Sequence, residues 1–185
     1  MKSRGRGSSP GIERIREDAM QSKAKRGTQH SRVKQGRDPR GEAFAFCVLM
    51  SIADGWTRIA VVEQGVPAHV VEDLAALMDV PLNFLTRALG ISAATLRRHR
   101  RDFKPLATGD GDRAIGLACL IGCAAVMVQE AGGADDFDPA RWIATWLKSP
   151  VPALAGRRPA EFLSTRSGLT LIDDLLGKIR SGTYA

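Results

Sequence analysis

An all-α fold is what this 185-residue sequence predicts. Every apolar segment repeats with a period near 3.6, and none shows the β-branched alternation of a half-buried strand. Glycines or prolines stand at the ends of most of these segments, where helices start and stop. Residues 1–40 come first and are rich in Gly, Ser, Lys and Arg, with Ile12, Ile15, Met20 and Val33 as almost the only large apolar side chains. Such a stretch buries too little surface to offset its ordering entropy, so a disordered basic arm is expected, with room for one short helix over 11–25.

Helical structure is expected from about Glu42, where Phe44, Cys47, Val48 and Ile52 share a face and Gly55 ends the run. A short helix from Trp56 to Glu63 follows, stopped by Gly65. Pro67 suits a first helical position, and Val70, Val71, Leu74, Leu77 and Met78 then form one apolar face. Pro81 opens the next helix, with Leu82, Leu85 and Leu89 inward and Gly90 as its stop. Ser92 is placed to cap a further helix whose Leu96 faces in.

The second half continues the pattern. Asp112 is a cap candidate for an apolar helix over 113–130, broken by Gly132 and Gly133. Asp138 before Pro139 is a helix start, followed by the stripe Trp142, Ile143, Trp146 and Leu147. A loop over 149–158 carries Pro150, Pro152 and Gly156, and Pro159 and Glu161 open a short helix through Leu163. Ile172, Leu175, Leu176 and Ile179 then recur at i, i+3, i+4 and i+7 in the last helix. The expected organisation is the arm at 1–40, a helical domain at 41–105 and a second small helical domain at 106–185.

Charge divides the chain at the same place. The formal charge is +7 and the isoelectric point near 9.8. Residues 1–40 hold 12 Lys/Arg against 4 Asp/Glu, a net of +8, whereas residues 41–185 hold 15 against 16, a net of −1. The basicity therefore belongs to the arm, and the global isoelectric point alone does not make the body a nucleic-acid binder.

Several classes are excluded by composition. Cys47, Cys119 and Cys123 are too few, and odd in number, for a disulfide framework, and His30, His69 and His99 are scattered. Buried thiols in a reducing cytosol are expected, with no metal or cofactor. The longest uncharged apolar run, 115–128, is 14 residues, short of the roughly 20 that a bilayer span needs. It reads as a buried core helix. The basic N-terminus is followed by no apolar stretch of a secretory signal, so a cytoplasmic protein is expected. No P-loop, HExxH or GxSxG pattern is present: GDGD at 109–112 has the wrong charge for a phosphate cradle, and Asp135, Asp136 and Asp138 read as an acidic helix start. No enzyme is predicted.

Residues 80–104 read VPLNFLTRALGISAATLRRHRRDFK. A short amphipathic helix ending at a glycine, a tight turn and a second helix with Arg97, Arg98, His99, Arg100 and Arg101 have the layout of a helix-turn-helix. In that motif the N-terminal part of the second helix meets base edges in the major groove, which here points to Ser92, Ala93, Thr95 and Arg98. Arg97, Arg100 and Arg101 are then candidates for phosphate contacts. Arginines near a helix C-terminus also simply complement the macrodipole in water, and consecutive residues face all sides of a helix.

The C-terminal half resembles the Xre/MbcA/ParS family of toxin–antitoxin antitoxins. LGISAATLRRHRR is similar to the end of that family's Xre/Cro-like helix-turn-helix. WLKSPVPALAGRRPAEFLSTRSG is similar to its Trp-Leu helix, proline loop and Thr-x-x-Gly start, and LIDDLLGKIRSGTYA to its closing helix and terminal Gly-x-Tyr-Ala. The likeness spans about residues 67–185 and is most specific in the last 45. Val151 departs from the Asn often found there, leaving the loop's prolines and glycine in place.

The resemblance implies an antitoxin whose C-terminal domain binds a RES-domain toxin and obstructs its NAD pocket, the toxin consuming NAD or transferring ADP-ribose from it. It also implies operator DNA as a second partner and autorepression of the operon. The toxin-binding candidates are Arg157, Arg158, Arg166, Lys178 and Arg180, cations near the loop and the last helix. Thr183, Tyr184 and Ala185 project past Gly182, and the Ala185 carboxylate adds a charge. A frayed terminus is the plainer reading of that tail. A homodimer is expected because helix-turn-helix modules read paired half-sites. The arm is either a phosphate tether or a solubilising leader. A stand-alone repressor is the alternative for the whole chain, and a neighbouring reading frame for a small RES-type toxin would separate the two.

Overall fold

The computed structural model describes residues 38–130 and 137–181. Residues 1–37 of the arm with the expected 11–25 helix, Gly132, Gly133, Asp135, Asp136, Gly182, Thr183, Tyr184 and Ala185 lie outside the described residues, whereas Asp38, Pro39 and Arg40, expected in the arm, belong to the first helix and its cap. From Asp38 onward the described residues cluster as one compact unit. They form eight α-helices and two 3-10 turns, with no strand among them and one isolated bridge between Pro67 and Pro105.

Helix α1 (Pro39–Ile52) begins three residues earlier than Glu42 because Asp38 caps it, accepting from the Gly41 N–H at 3.1 Å, with Pro39 pre-set for the first turn. Its core face is Cys47 and Met50, and Ile52, expected inward, is 66% exposed. The short link after it puts Gly55 at the start of α2 (Gly55–Gln64) rather than at the end of α1. Asp54 caps α2 by accepting from the Thr57 N–H at 2.7 Å, and bonds from Thr57 hold the Asp54 carboxyl below the usual carboxylate range. Of α2 only Val62 is buried.

Helices α3 (His69–Leu77), α4 (Leu82–Leu89) and α5 (Ala93–Arg101) follow in quick succession. Each ends in a left-handed residue: Asp79 at φ 55°, Gly90 at φ 67° and Phe103 at φ 51°. The next residue's N–H in each case bonds five residues back, Val80 to Ala75, Ile91 to Thr86 and Lys104 to His99, so the last carbonyls are satisfied within very short links. Pro67 stands just ahead of α3, accepting from the Val70 N–H, rather than inside it. Leu82, expected inward, is 38% exposed, while Leu85 and Leu89 are fully buried.

Helix α6 (Thr108–Glu130) is the centre of the fold. It starts a turn earlier than expected, so Asp112 lies inside the helix and does not cap it. Ala114, Leu117, Ala118 and Ile121 are fully buried, and α1, α2, α3, α4, α7 (Pro139–Lys148) and α8 (Arg166–Arg180) all contact α6. A helix surrounded on every side needs apolar residues on every side, which accounts for its unbroken apolar run. By length and composition α6 is apolar enough to cross a membrane, but most of it is packed inside this unit. Cys47 and Cys119 are buried and Cys123 half-buried; burial pushes the Cys47 thiol up to about 12.

Asp138 caps α7 by accepting from the N–H groups of Ala140 and Arg141, both at 3.1 Å. Ile143 and Leu147 are fully buried, while Trp142 and Trp146 stack on each other at 6.1 Å, half-buried. The loop after α7 contains the 3-10 turn Pro152–Leu154, and the short helix expected at Pro159 is a second 3-10 turn, Pro159–Phe162. Both expected halves of the body pack around the same central helix.

Candidate functional site

Two cationic regions were expected to carry function. On α5, the Ser92 hydroxyl accepts from the Thr95 N–H at 2.9 Å and donates to the Thr95 hydroxyl at 2.8 Å, so the two side chains fix the helix start. Ala93 and Ala94 beside them are exposed. Leu96 is buried, and His99 faces the segment after the helix, its Nδ1 standing 2.5 Å from the Pro105 carbonyl oxygen.

The arginines of α5 divide into two groups. Arg100 reaches back to Glu72 on α3, with an ion pair at 2.6 Å, and Arg101 bonds Asp102 at 2.9 Å, holding that carboxyl low. Arg97 and Arg98 are exposed, and their side chains make no hydrogen bond or ion pair to a described residue. Two cations and two alanines thus share the outer side of α5, and Glu72 and Pro105 hold its inner side. The Glu72 anchor was not legible locally, because it lies 28 residues from Arg100, whereas Pro105 is only six residues from His99.

The C-terminal cations divide in the same way. Arg166 pairs with Asp112 near the start of α6, and Arg180 makes a two-point pair with Glu130 at its end, one arm at 2.8 Å. Helices α6 and α8 therefore run in the same direction, tied at both ends. Arg157 bonds Glu161 at 3.0 Å and lies over the Phe162 ring at 4.4 Å, a cation–π contact. Lys178 and Arg158 are exposed, with no side-chain ion pair to a described residue. Arg158, Arg87 and Lys148 surround a concavity of about 450 Å³ between α4 and the second 3-10 turn, where the Lys148 ammonium stands 5.1 Å over the Phe84 ring.

The proline loop has a definite shape. The Arg157 N–H bonds Leu154 and the Val151 N–H bonds Arg157, closing a turn in which Ala155 and Gly156 are both left-handed, at φ 54° and 76°. The Thr-x-x-Gly stretch also has a local cause. Thr165 caps α8, its hydroxyl accepting from the Gly168 N–H at 3.1 Å, and the space beside Gly168 holds the Phe162 carbonyl.

Residues 132–182 match a family model described as the antitoxin Xre/MbcA/ParS C-terminal toxin-binding domain. Arg157, Arg158, Arg166, Lys178 and Arg180 lie inside that match. The chain is 36% identical over 155 residues to the Prs ADP-ribosylating antitoxin of Sphingobium sp. (strain YBL2), covering 84% of this chain and 96% of that relative. It is 24% identical over 131 residues to the antitoxin Xre of Yersinia enterocolitica, covering 71% of this chain and 83% of that one.

Proposed function

The chain belongs to the Xre/MbcA/ParS family of antitoxins, and on that premise we propose that it silences a cognate RES-type toxin by covering the toxin's NAD pocket with its C-terminal region. The family's antitoxins are not enzymes, and this chain binds its toxin through its C-terminal toxin-binding domain. The name of the Sphingobium relative supports a toxin that transfers ADP-ribose from NAD. Both proteins would act in the cytoplasm.

The observation that carries the proposal is the double tie between α6 and α8. The buried face Leu169, Ile172, Leu175 and Leu176 packs the last described helix on the core, and Arg166–Asp112 and Arg180–Glu130 set its register at both ends, so the chain reaches Ser181 from a defined point. A rigid platform lowers the entropy lost when a short segment is threaded into a partner. Thr183, Tyr184 and Ala185 are assigned to the pocket, and Lys178, Arg157 and Arg158 to its rim. The test is coexpression of the toxin with a chain lacking residues 182–185, which leaves α8 whole. Cellular NAD is expected to fall and growth to stop; full protection by the shortened chain would refute the plug.

Operator binding by α4 and α5, acting as a helix-turn-helix in a homodimer, is the second proposed role. It is supported by Arg97 and Arg98, exposed and unengaged at the outer side of a helix whose inner side is pinned. Replacing both with Ala is expected to weaken operator binding by about 10–100-fold, Arg98 through a lost base contact and Arg97 through a lost phosphate contact, and to reduce its salt dependence because fewer counterions are then released on binding. Neutralisation should stay intact. Unchanged DNA affinity in a gel-shift titration would remove α5 from the interface. On this reading the basic arm is a phosphate tether, and 41–105 serves the operator while 106–185 serves the toxin. A stand-alone repressor is the weaker alternative, since both relatives are antitoxins.

A further inference from the structure

A groove of about 550 Å³ runs between α2, α6 and α8. Its floor is apolar, built from Val62, Ile115 and Leu169, and Ile59 on α2 forms one lip, half exposed. Next to that lip Trp56 is 81% exposed, although it is among the largest apolar side chains in the protein. Leu49 and Ile52 at the end of α1 are also exposed. Exposed large apolar side chains beside an apolar-floored groove mark a place where something docks.

Three charges line the groove without an ion pair to a described residue, Arg58, Glu63 and Asp173. The Arg58 side chain, half-buried, has no carboxylate within ion-pair distance among the described residues; it donates to the Cys119 sulfur at 3.7 Å and acts on the Asp173 and Asp54 carboxylates only at longer range. Asp173, on the opposite wall, makes no hydrogen bond or ion pair to a described residue, and burial raises its carboxyl above the usual range. The other two charges nearby, Arg166 and Asp112, satisfy each other.

We propose that this groove is a second docking surface for the cognate toxin, with α2 supplying a wall and an aromatic anchor outside the C-terminal toxin-binding domain. Continuity decides the occupant. The α8 wall, with Leu169 and Asp173, lies inside residues 132–182, the stretch through which the toxin is bound. A toxin seated on α8 therefore reaches the groove without crossing any other surface. The toxin segment that fits has an apolar side chain for the floor, a carboxylate for Arg58 and a hydrogen-bond donor for Asp173. A half-buried guanidinium gains from such a partner, because part of its hydration is already lost. Trp56 would close over the segment as an interface anchor, the role for which Trp is enriched.

The inference rests on toxin binding by this chain and not on the plug at residues 183–185, and the test keeps the two apart. Ile59→Asp, Trp56→Ala and Arg58→Gln are made in the full chain, and each is measured for toxin affinity, thermal midpoint, oligomeric state and operator binding. Ile59→Asp and Trp56→Ala are expected to weaken toxin affinity about tenfold or more, and Arg58→Gln several-fold, with the other three readouts unchanged. Toxin affinity equal to the parent's in variants that melt normally would overturn the proposal. Loss of the dimer with toxin affinity intact would overturn it too, assigning the face to a second copy. Deleting 182–185 should restore toxin activity while affinity falls less than in Ile59→Asp. If the deletion leaves neutralisation whole but Ile59→Asp still weakens binding, the plug fails and the groove stands.

Discussion

Gly122→Ala is expected to destabilise the protein by about 2–3 kcal/mol, lowering its thermal midpoint by roughly 5–10 °C. Helix propensity alone predicts the opposite sign, since Ala in a helix interior is favoured over Gly by about 1 kcal/mol. The space decides against it. A Cβ at 122 would stand 2.2 Å from the Cys47 carbonyl oxygen and 2.6 Å from the Ser51 side chain. The nearest atom is backbone, so relief requires moving α1 off α6 rather than turning a rotamer. Gly116→Ala on the same helix is the control. Its Cβ would meet the end of the Leu169 side chain at 2.9 Å, which is free to shift, so a much smaller change is expected. A melting curve of the two variants side by side checks the claim, and equal midpoints would show that α1 and α6 do not approach this closely.

The contrast between those glycines shows what was legible in the sequence and what was not. Periodicity marks helices, and every helix expected in the described residues is present except the short one at Pro159, which is a 3-10 turn, because an amphipathic or fully apolar stretch has few other ways to bury its side chains. Local chemistry marks their ends: Asp138–Pro139, Ser92 and Gly90 act through groups within three or four residues, and all three do what their residue type suggests. Tertiary packing is where the reading fell short. Ile52 and Leu82 follow the period of their helices, yet each lies at the margin of a face whose orientation is set by distant partners. Asp112 resembles a cap in sequence, but α6 begins four residues earlier and the carboxylate serves Arg166, 54 residues away.

The same limit governs the candidate site. Residue type identified a cluster of arginines on α5 and a set of cations along the C-terminal segment, but not which of them the fold consumes. Arg100, Arg166 and Arg180 are engaged by Glu72, Asp112 and Glu130, all far away in sequence, whereas Arg97, Arg98 and Lys178 are left without ion pairs among the described residues. A charge that ties two helices together and a charge that waits for a partner look alike until the backbone brings the opposite charge near. The groove beside Arg58 has no sequence signature for this reason: its walls come from three helices, and Arg58 stands out there because no carboxylate comes within ion-pair distance, whereas Arg166 in the same groove pairs with Asp112.

Gly168→Ala tests the Thr-x-x-Gly stretch in the same terms, with a second glycine of α8 as its counterpart. The Cβ at 168 would fall 1.9 Å from the Phe162 carbonyl oxygen and 2.9 Å from the Thr165 hydroxyl. Accommodating it means pushing the second 3-10 turn away from α8 and breaking the Thr165 cap, itself worth about 1 kcal/mol. The expected loss is about 3 kcal/mol, against a propensity gain of about 1 kcal/mol. Gly177→Ala faces nothing within 4 Å and should stabilise the protein by about 0.5–1 kcal/mol, so two identical substitutions on one helix carry opposite signs. Function should follow stability at one position only. Phe162 supports Arg157 through its ring, and the turn that carries it leads directly from the proline loop, so displacing it disorders part of the surface proposed to face the toxin. Toxin affinity is therefore expected to fall for Gly168→Ala even below its melting transition and to stay at the parent value for Gly177→Ala. Chemical denaturation with a binding titration at low temperature measures both. A Gly168→Ala variant as stable as the parent would mean that the Phe162 turn does not press on α8 as described.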